Sequence, residues 1–234
     1  SRLYYSAYGT IETWSGQDTG AIDIDSEDGD RIVGIVSHKN SLVVFKGPNK
    51  GSIHIISGDA PEGENGFRRD LLVTGIPLQT PNSIVQVGDD VWFMSERGIH
   101  SIAATARYGD FEQQIITKYL FGEFRDNISR TRLANVWGVN YAPKAFAAWT
   151  LAASGSSTNS RFLGLSYINL DQGLKPFIWT LATIMSAGIR IHPTTKLREL
   201  ILADNSGFLV RMDQSTRIMP LSTAYTGRLT TPAV

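Results

Sequence analysis

Two four-residue runs in this chain are apolar at every position: Leu42-Val43-Val44-Phe45 and Val91-Trp92-Phe93-Met94. Both are rich in β-branched and aromatic residues and are bounded by turn-forming residues, which favours strands over helices. Successive side chains of a strand point to opposite faces, so these strands need cover on both sides. A sheet with one wet face does not provide that.

Each run sits inside a longer unit. Over residues 83–102, Ile84, Val85 and Val87 lead to the turn Gly88-Asp89-Asp90. The apolar run follows, then Glu96-Arg97-Gly98, then Ile99 and Ile102. This spells three short strands joined by two tight turns, with Gly and Asp where the backbone needs them. Residues 31–57 repeat it, with Ile35-Val36 matching Ile84-Val85 and Leu42 matching Val91, an offset of 49 residues. A third hairpin of this kind runs through Leu200-Ile201-Leu202-Ala203, Asp204-Asn205-Ser206-Gly207 and Phe208-Leu209-Val210.

A period near 50 residues with strands covered on both faces predicts an all-β fold, a β-propeller-like array of short antiparallel blades. A β-sandwich would show cleaner inside/outside alternation than either apolar run does. Roughly four units are visible on this repeat pattern. They occupy one domain, residues 1–215, followed by a C-terminal extension, 216–234. The pattern breaks at Gly109-Asp110. Asp110 is placed to cap a helix, and Ile115, Ile116, Tyr119, Leu120 and Phe124 recur at helical spacing, which predicts a short helical insertion over residues 111–124.

The 22 basic and 22 acidic residues balance, so no positive field advertises tight nucleic-acid binding. With no Cys, disulfides, thiolate nucleophiles and Cys-based zinc sites are excluded. No apolar run approaches the roughly 20 residues of a membrane helix, and the opening residues lack the features of a signal peptide. Ser1 already lies at the start of a strand, which fits either removal of an initiator Met or a piece of a longer protein.

Candidate chemistry is sparse. His38, His54, His100 and His192 have no metal-ligand spacing. The acidic run at residues 23–30 fails the calcium-loop pattern. Counted from Asp23, Asp28 stands where the turn Gly belongs; counted from Asp25, Val36 stands where the bidentate Glu belongs. It reads as a solvated acidic loop. Paired carboxylates for glycoside hydrolysis would have to come from Asp90, Asp110, Glu112 and Asp204. Asp90 and Asp204 occupy turn positions, while Asp110 and Glu112 fall where a helix start favours acids. Trp14, Trp92, Trp137, Trp149 and Trp179 are spread along the chain as core anchors would be, rather than clustered as a stacking platform. No catalytic, cofactor-binding or metal-ligating residue is assigned.

Three segments carry a resemblance: RLYYSAYGTIETWS, DGDRIVGIVSHKNSLVVFKGPNKGSIHIISG and SIVQVGDDVWFMSERGIHSIAATARYGDFE. With the later FLGLSYI and PFIWT, the chain resembles the β-propeller domain of tailed-phage virion proteins. These are the tail nozzle or tail-hub proteins of short-tailed phages and their prophage relatives, which are generally longer. The resemblance implies a non-enzymatic structural protein of the virion tail, assembled in the host cytoplasm and needing no cofactor. It implies a homo-oligomeric ring, other tail or neck proteins as partners, and double-stranded DNA passing without sequence-specific binding. Acidic loops such as 23–30 would then keep a DNA-facing surface from gripping phosphate. The rival expectations are a propeller enzyme or lectin acting on host-surface glycans, and a generic protein-interaction propeller.

Overall fold

The computed structural model describes residues 1–16, 18–61, 66–103, 115–168, 173–181, 183–207 and 209–212. Within them the chain is mostly β, arranged as five small antiparallel sheets with a short helix. Sheet I pairs β1 (Arg2–Tyr5) with β2 (Gly20–Asp23). Sheet II is β3 (Arg31–His38), β4 (Ser41–Gly47), β5 (Ser52–Ser57) and β6 (Arg68–Thr74), in that order. Sheet III is β7 (Val85–Val87), β8 (Asp90–Ser95) and β9 (Gly98–Ser101). Sheet IV is β10 (Trp137–Tyr141), β11 (Phe146–Ala152), β12 (Asn159–Ser166) and β13 (Lys175–Thr180). Sheet V is β14 (Ile184–Ile191), β15 (Arg198–Asp204) and β16 (Leu209–Arg211).

The internal repeat is reproduced in the strand register. Phe45 pairs with Ile53 and Val44 with His54 in sheet II. In sheet III, Met94 pairs with Ile99 and Phe93 with His100. Each Ile-His pair therefore sits opposite the same two positions of its central strand.

The doubly apolar strands are covered on both faces, and alternate residues serve different cores. Val44 joins Ile24 and Ile56, against which Leu3 and Ile22 of sheet I pack. Val43 and Phe45 instead meet Val91 and Phe93 of sheet III. Trp92 and Met94 point the other way, into a core shared with Ala147, Trp149 and Leu151 of β11. From β11, Phe146 and Ala148 turn to Leu200 and Leu202 of sheet V. Four cores thus link five sheets face to face in sequence order. Burial of each Val, Leu, Ile, Phe or Met side chain among these stabilises the fold by about 1.5–3 kcal/mol.

Polar ties run between neighbouring sheets as well. Trp149 Nε1 donates to the Ser83 carbonyl at 2.8 Å, Asn140 Nδ2 to the Gln86 carbonyl at 2.8 Å, and the Tyr141 hydroxyl to the Arg198 carbonyl at 3.2 Å. The first strands of sheets III, IV and V touch one another along one side of the stack.

The helical insertion is corrected. Residues 111–114 and the Asp110 cap lie outside the described residues. Ile115 forms a bridge with His100, and the Ile116 N–H donates to the Ile99 carbonyl at 2.9 Å, so this β-branched pair extends the edge of sheet III. A 3-10 turn spans Lys118–Leu120, and the helix proper, α1, is Phe121–Asp126. Phe124 still buries against the sheets, as the apolar stripe requires. A 3-10 turn at Arg130–Asn135 leads into β10 at Trp137. β2 ends on Asp23, the first residue of the acidic run. The 216–234 extension falls outside the described residues.

Candidate functional site

The most highly organised polar site is the segment joining β2 to β3, residues 23–30. The side chain of Lys46, at the end of β4, has no solvent exposure. Its Nζ donates to the carbonyls of Ile24 at 2.8 Å and Asp25 at 2.6 Å, and to both carboxylate oxygens of Asp28 at 2.6 Å. Burying an ammonium is costly unless its donors are met. Three donors here find a carboxylate and two carbonyls.

Asp30 is buried and holds the next loop. It accepts from the backbone N–H groups of Asn49, Lys50 and Gly51 at 2.7–2.9 Å, and from Asn49 Nδ2 at 3.0 Å. Asp25 meets Arg69 at 2.7 Å and lies 3.3 Å from His54 Nε2, which also shares a hydrogen bond with Ser52 at 2.9 Å. Asp23 pairs with Arg2 at 2.7 Å. The reading of this run as a solvated acidic loop holds for Asp23 and Glu27, which are exposed, and is corrected for Asp28 and Asp30, which are held by Lys46 and by backbone amides. Lys46, Arg69 and Arg2 offset part of the run's charge within the chain.

Electrostatics follow from these partners. Burial works against ionisation of Asp28, but the Lys46 ammonium and the Asp30 N–H outweigh it and keep its carboxyl below the ordinary range. Burial opposes ionisation of Asp30 too, and the amide donors led by Gly51 and Asn49 override it. Burial lowers His54, reinforced by Arg69 and Lys46 against the pull of Asp25. A general acid at neutral pH needs a raised carboxyl pKa. Asp28 and Asp30 are shifted the opposite way. The shallow cavity here, about 400 Å³, is lined by Asp23, Asp25, Ser26, Glu27, Asp28 and Arg69; chemically it is a clasp between sheets I and II.

The carboxylates considered for hydrolysis are not brought together. Asp90 in sheet III accepts from Trp92 Nε1 at 2.9 Å, Ser101 Oγ at 2.5 Å, the Val91 N–H at 2.8 Å and the Ala103 N–H at 2.9 Å. Asp204 in sheet V accepts from the Ser206 N–H at 2.9 Å, a turn role, and sheet IV stands between the two. Asp110 and Glu112 lie outside the described residues.

The histidines are dispersed as well. His38 ends β3, and His192 Nδ1 accepts from Thr194 and Thr195 N–H groups in the β14–β15 turn. His100 is fully buried, stacks on Phe93 at 5.2 Å and shares a 2.7 Å hydrogen bond with Ser95. Burial, with Arg97 nearby, lowers its pKa to about 3. Among the described residues no group of three His, Cys, Asp or Glu is placed to hold a metal ion.

Of the tryptophans, Trp92 and Trp149 are core residues. Trp179 is half-buried and stacks on Phe162 at 5.8 Å, whereas Trp14 is exposed and Trp137 borders on exposure. A second concavity of about 720 Å³ escaped the sequence reading. Its described lining residues are Arg97, Lys118 and Arg130 around Ile115 and Phe121, with Glu96. These residues are scattered over three segments without a motif.

No protein-family model matches this chain, and no curated protein matches it. Among the described residues no helix is long and apolar enough to cross a membrane.

Proposed function

We propose that the chain is a propeller-like structural protein of a phage tail, a nozzle or hub component that scaffolds the DNA-exit channel without catalysing a reaction. The observation that carries this reading is the stack: consecutive four- or three-stranded meanders packed face to face, with first strands touching along one side. Propeller blades are four-stranded meanders arranged radially, with central strands buried on both faces. Sheets II and IV match that unit, and Ile115-Ile116 adds a fourth strand position to sheet III.

The polar sites support a scaffold. Asp28, Asp30, Asp90 and Lys46 hold loops and hairpins to one another, and their donors and acceptors are turned inward. In this reading, copies form a ring about the tail axis with tail or neck proteins as neighbours, and duplex DNA passes through without being read.

Fractionation of purified virions with electron cryo-microscopy of the tail tests it. The chain should appear as density in a ring at the tail axis. A protein absent from particles and found only as free material in the lysate overturns the proposal.

A further inference from the structure

Among the described residues, the first and last sheets of the stack carry connections with exposed apolar residues. At the sheet I end, the β1–β2 connection exposes Tyr8 (87%), Ile11 (84%) and Trp14 (61%), with Glu12 and Asp18 beside them. Within that connection, residues 6–19, the sequence has these two acids and no Lys or Arg. At the sheet V end, the β14–β15 hairpin exposes Ile191 (61%) and Leu197 (66%), flanked by Lys196 and Arg198.

Both hairpins project from the same rim. Tyr5 packs edge-on against Phe67 at 5.1 Å, which places the end of β1 beside the β5–β6 connection. The Tyr141–Arg198 hydrogen bond places the β14–β15 turn beside the β10–β11 turn. The β5–β6 connection falls at the β3–β4 turn end of sheet II. Gly47 faces Leu78 and Gly34 faces Ile84, so β7 continues in the sense of β3. Gly138 faces Val85 while Asn140 bonds Gln86, so β10 runs in the sense of β7.

We propose that the β1–β2 hairpin of one copy docks on the β14–β15 hairpin of the next. Tyr8, Ile11 and Trp14 would cover Ile191 and Leu197, while Glu12 and Asp18 meet Lys196 and Arg198. Exposed apolar side chains beside charge suit a protein contact, and opposite charge across the join sets register and orientation. Because the surfaces differ, the contact is heterologous, and such contacts build rings when the rotation closes. Sharing one rim, they suit a rotation axis that runs along the strands. This rests on the ring reading above and names the surfaces that make the ring.

The chain has no Cys, so introduced cysteines report cleanly. Ile11→Cys and Leu197→Cys are prepared separately and together, both at exposed positions that leave the cores intact. Under mild oxidation, a mixture of the single variants should give a cross-linked heterodimer, each single variant alone none, and the double variant a ladder of oligomers. Glu12→Lys should weaken self-association roughly tenfold, and Lys196→Glu in the same chain should restore it.

Cross-linking of a single variant with itself overturns the proposal, as does a fast-migrating internally linked monomer or a chain that stays monomeric at every concentration. Oligomers seen by light scattering without the mixed cross-link also overturn these surfaces while leaving the ring standing. Location in the virion is read separately, so the tail reading can fail while the docking surfaces hold.

Discussion

Lys46 Nζ lies 2.6 Å from both carboxylate oxygens of Asp28, and the lysine side chain is wholly excluded from solvent. Removing one partner of a buried pair leaves the other uncompensated. Lys46→Met, which keeps the volume of the stem, should therefore cost about 3 kcal/mol. It should lower the urea midpoint without changing the slope. Lys50→Met, four residues on and exposed, should change stability by less than about 0.5 kcal/mol.

Acid should loosen the same clasp. Asp28 and Asp30 are held below the ordinary carboxyl value of 3.8. Their stabilising contribution is complete above that value and is lost as pH falls through their depressed folded values. Urea unfolding should show a steep loss of stability below about pH 4. Asp30→Asn should cost about 1.5–3 kcal/mol at neutral pH, from its bonds to three amides. It should also flatten the acid limb; an unchanged limb would show that other groups set it.

His100 acts over a higher window. Its folded value of about 3 lies below the 6.5 of an unperturbed histidine, so between those limits the unfolded chain binds a proton the folded chain refuses. Stability should fall with decreasing pH from about 6.5, by about 1.4 kcal/mol per pH unit once the unfolded histidine is fully protonated. His54 is shifted in the same direction and adds to this limb. His100→Asn should cost stability at pH 7 but give a shallower dependence between pH 6 and 4.

Gly51 and Gly88 both have positive φ, +70° and +59°. A Cβ on Gly51 would run into the backbone of Pro77, whereas one on Gly88 would meet nothing within 4 Å. Gly88→Ala should then cost only the conformational penalty, about 1 kcal/mol. Gly51→Ala should cost at least about 3 kcal/mol, since the backbone itself must shift. Thermal unfolding of the two variants side by side measures the difference.

The legible parts of the fold were those written in short-range pattern. Val91 to Met94 and Leu42 to Phe45 announced central strands covered on both faces; the common register of His54 and His100 came only with the pairing of the third strands. What the pattern could not carry was tertiary competition. Ile115 and Ile116 suit a helical stripe and a strand edge equally well, and the free edge of β9 decided between them. Nothing local in the sequence marks Lys46 as buried, because its acceptors, Ile24, Asp25 and Asp28, lie 18–22 residues earlier in the chain. Asp28 and Asp30 looked solvated for the same reason, as nothing local marks Lys46 or the Asn49–Gly51 amides as their partners. The concavity at Arg97, Lys118 and Arg130 forms only once α1 packs beside sheet III.

The division of each central strand between two cores bears on how the chain is made. Each sheet is a run of consecutive residues, and each core joins a sheet to the one translated just before it. A growing chain can therefore seat one meander at a time as it emerges, with little waiting for distant sequence, as repeat arrays do. Until the next sheet arrives, the newest one exposes half its apolar side chains: Trp92 and Met94 await β11, and Phe146 and Ala148 await β15. The growing end is then the sticky end, and a pause in synthesis after sheet III or sheet IV is where premature association between nascent chains would begin.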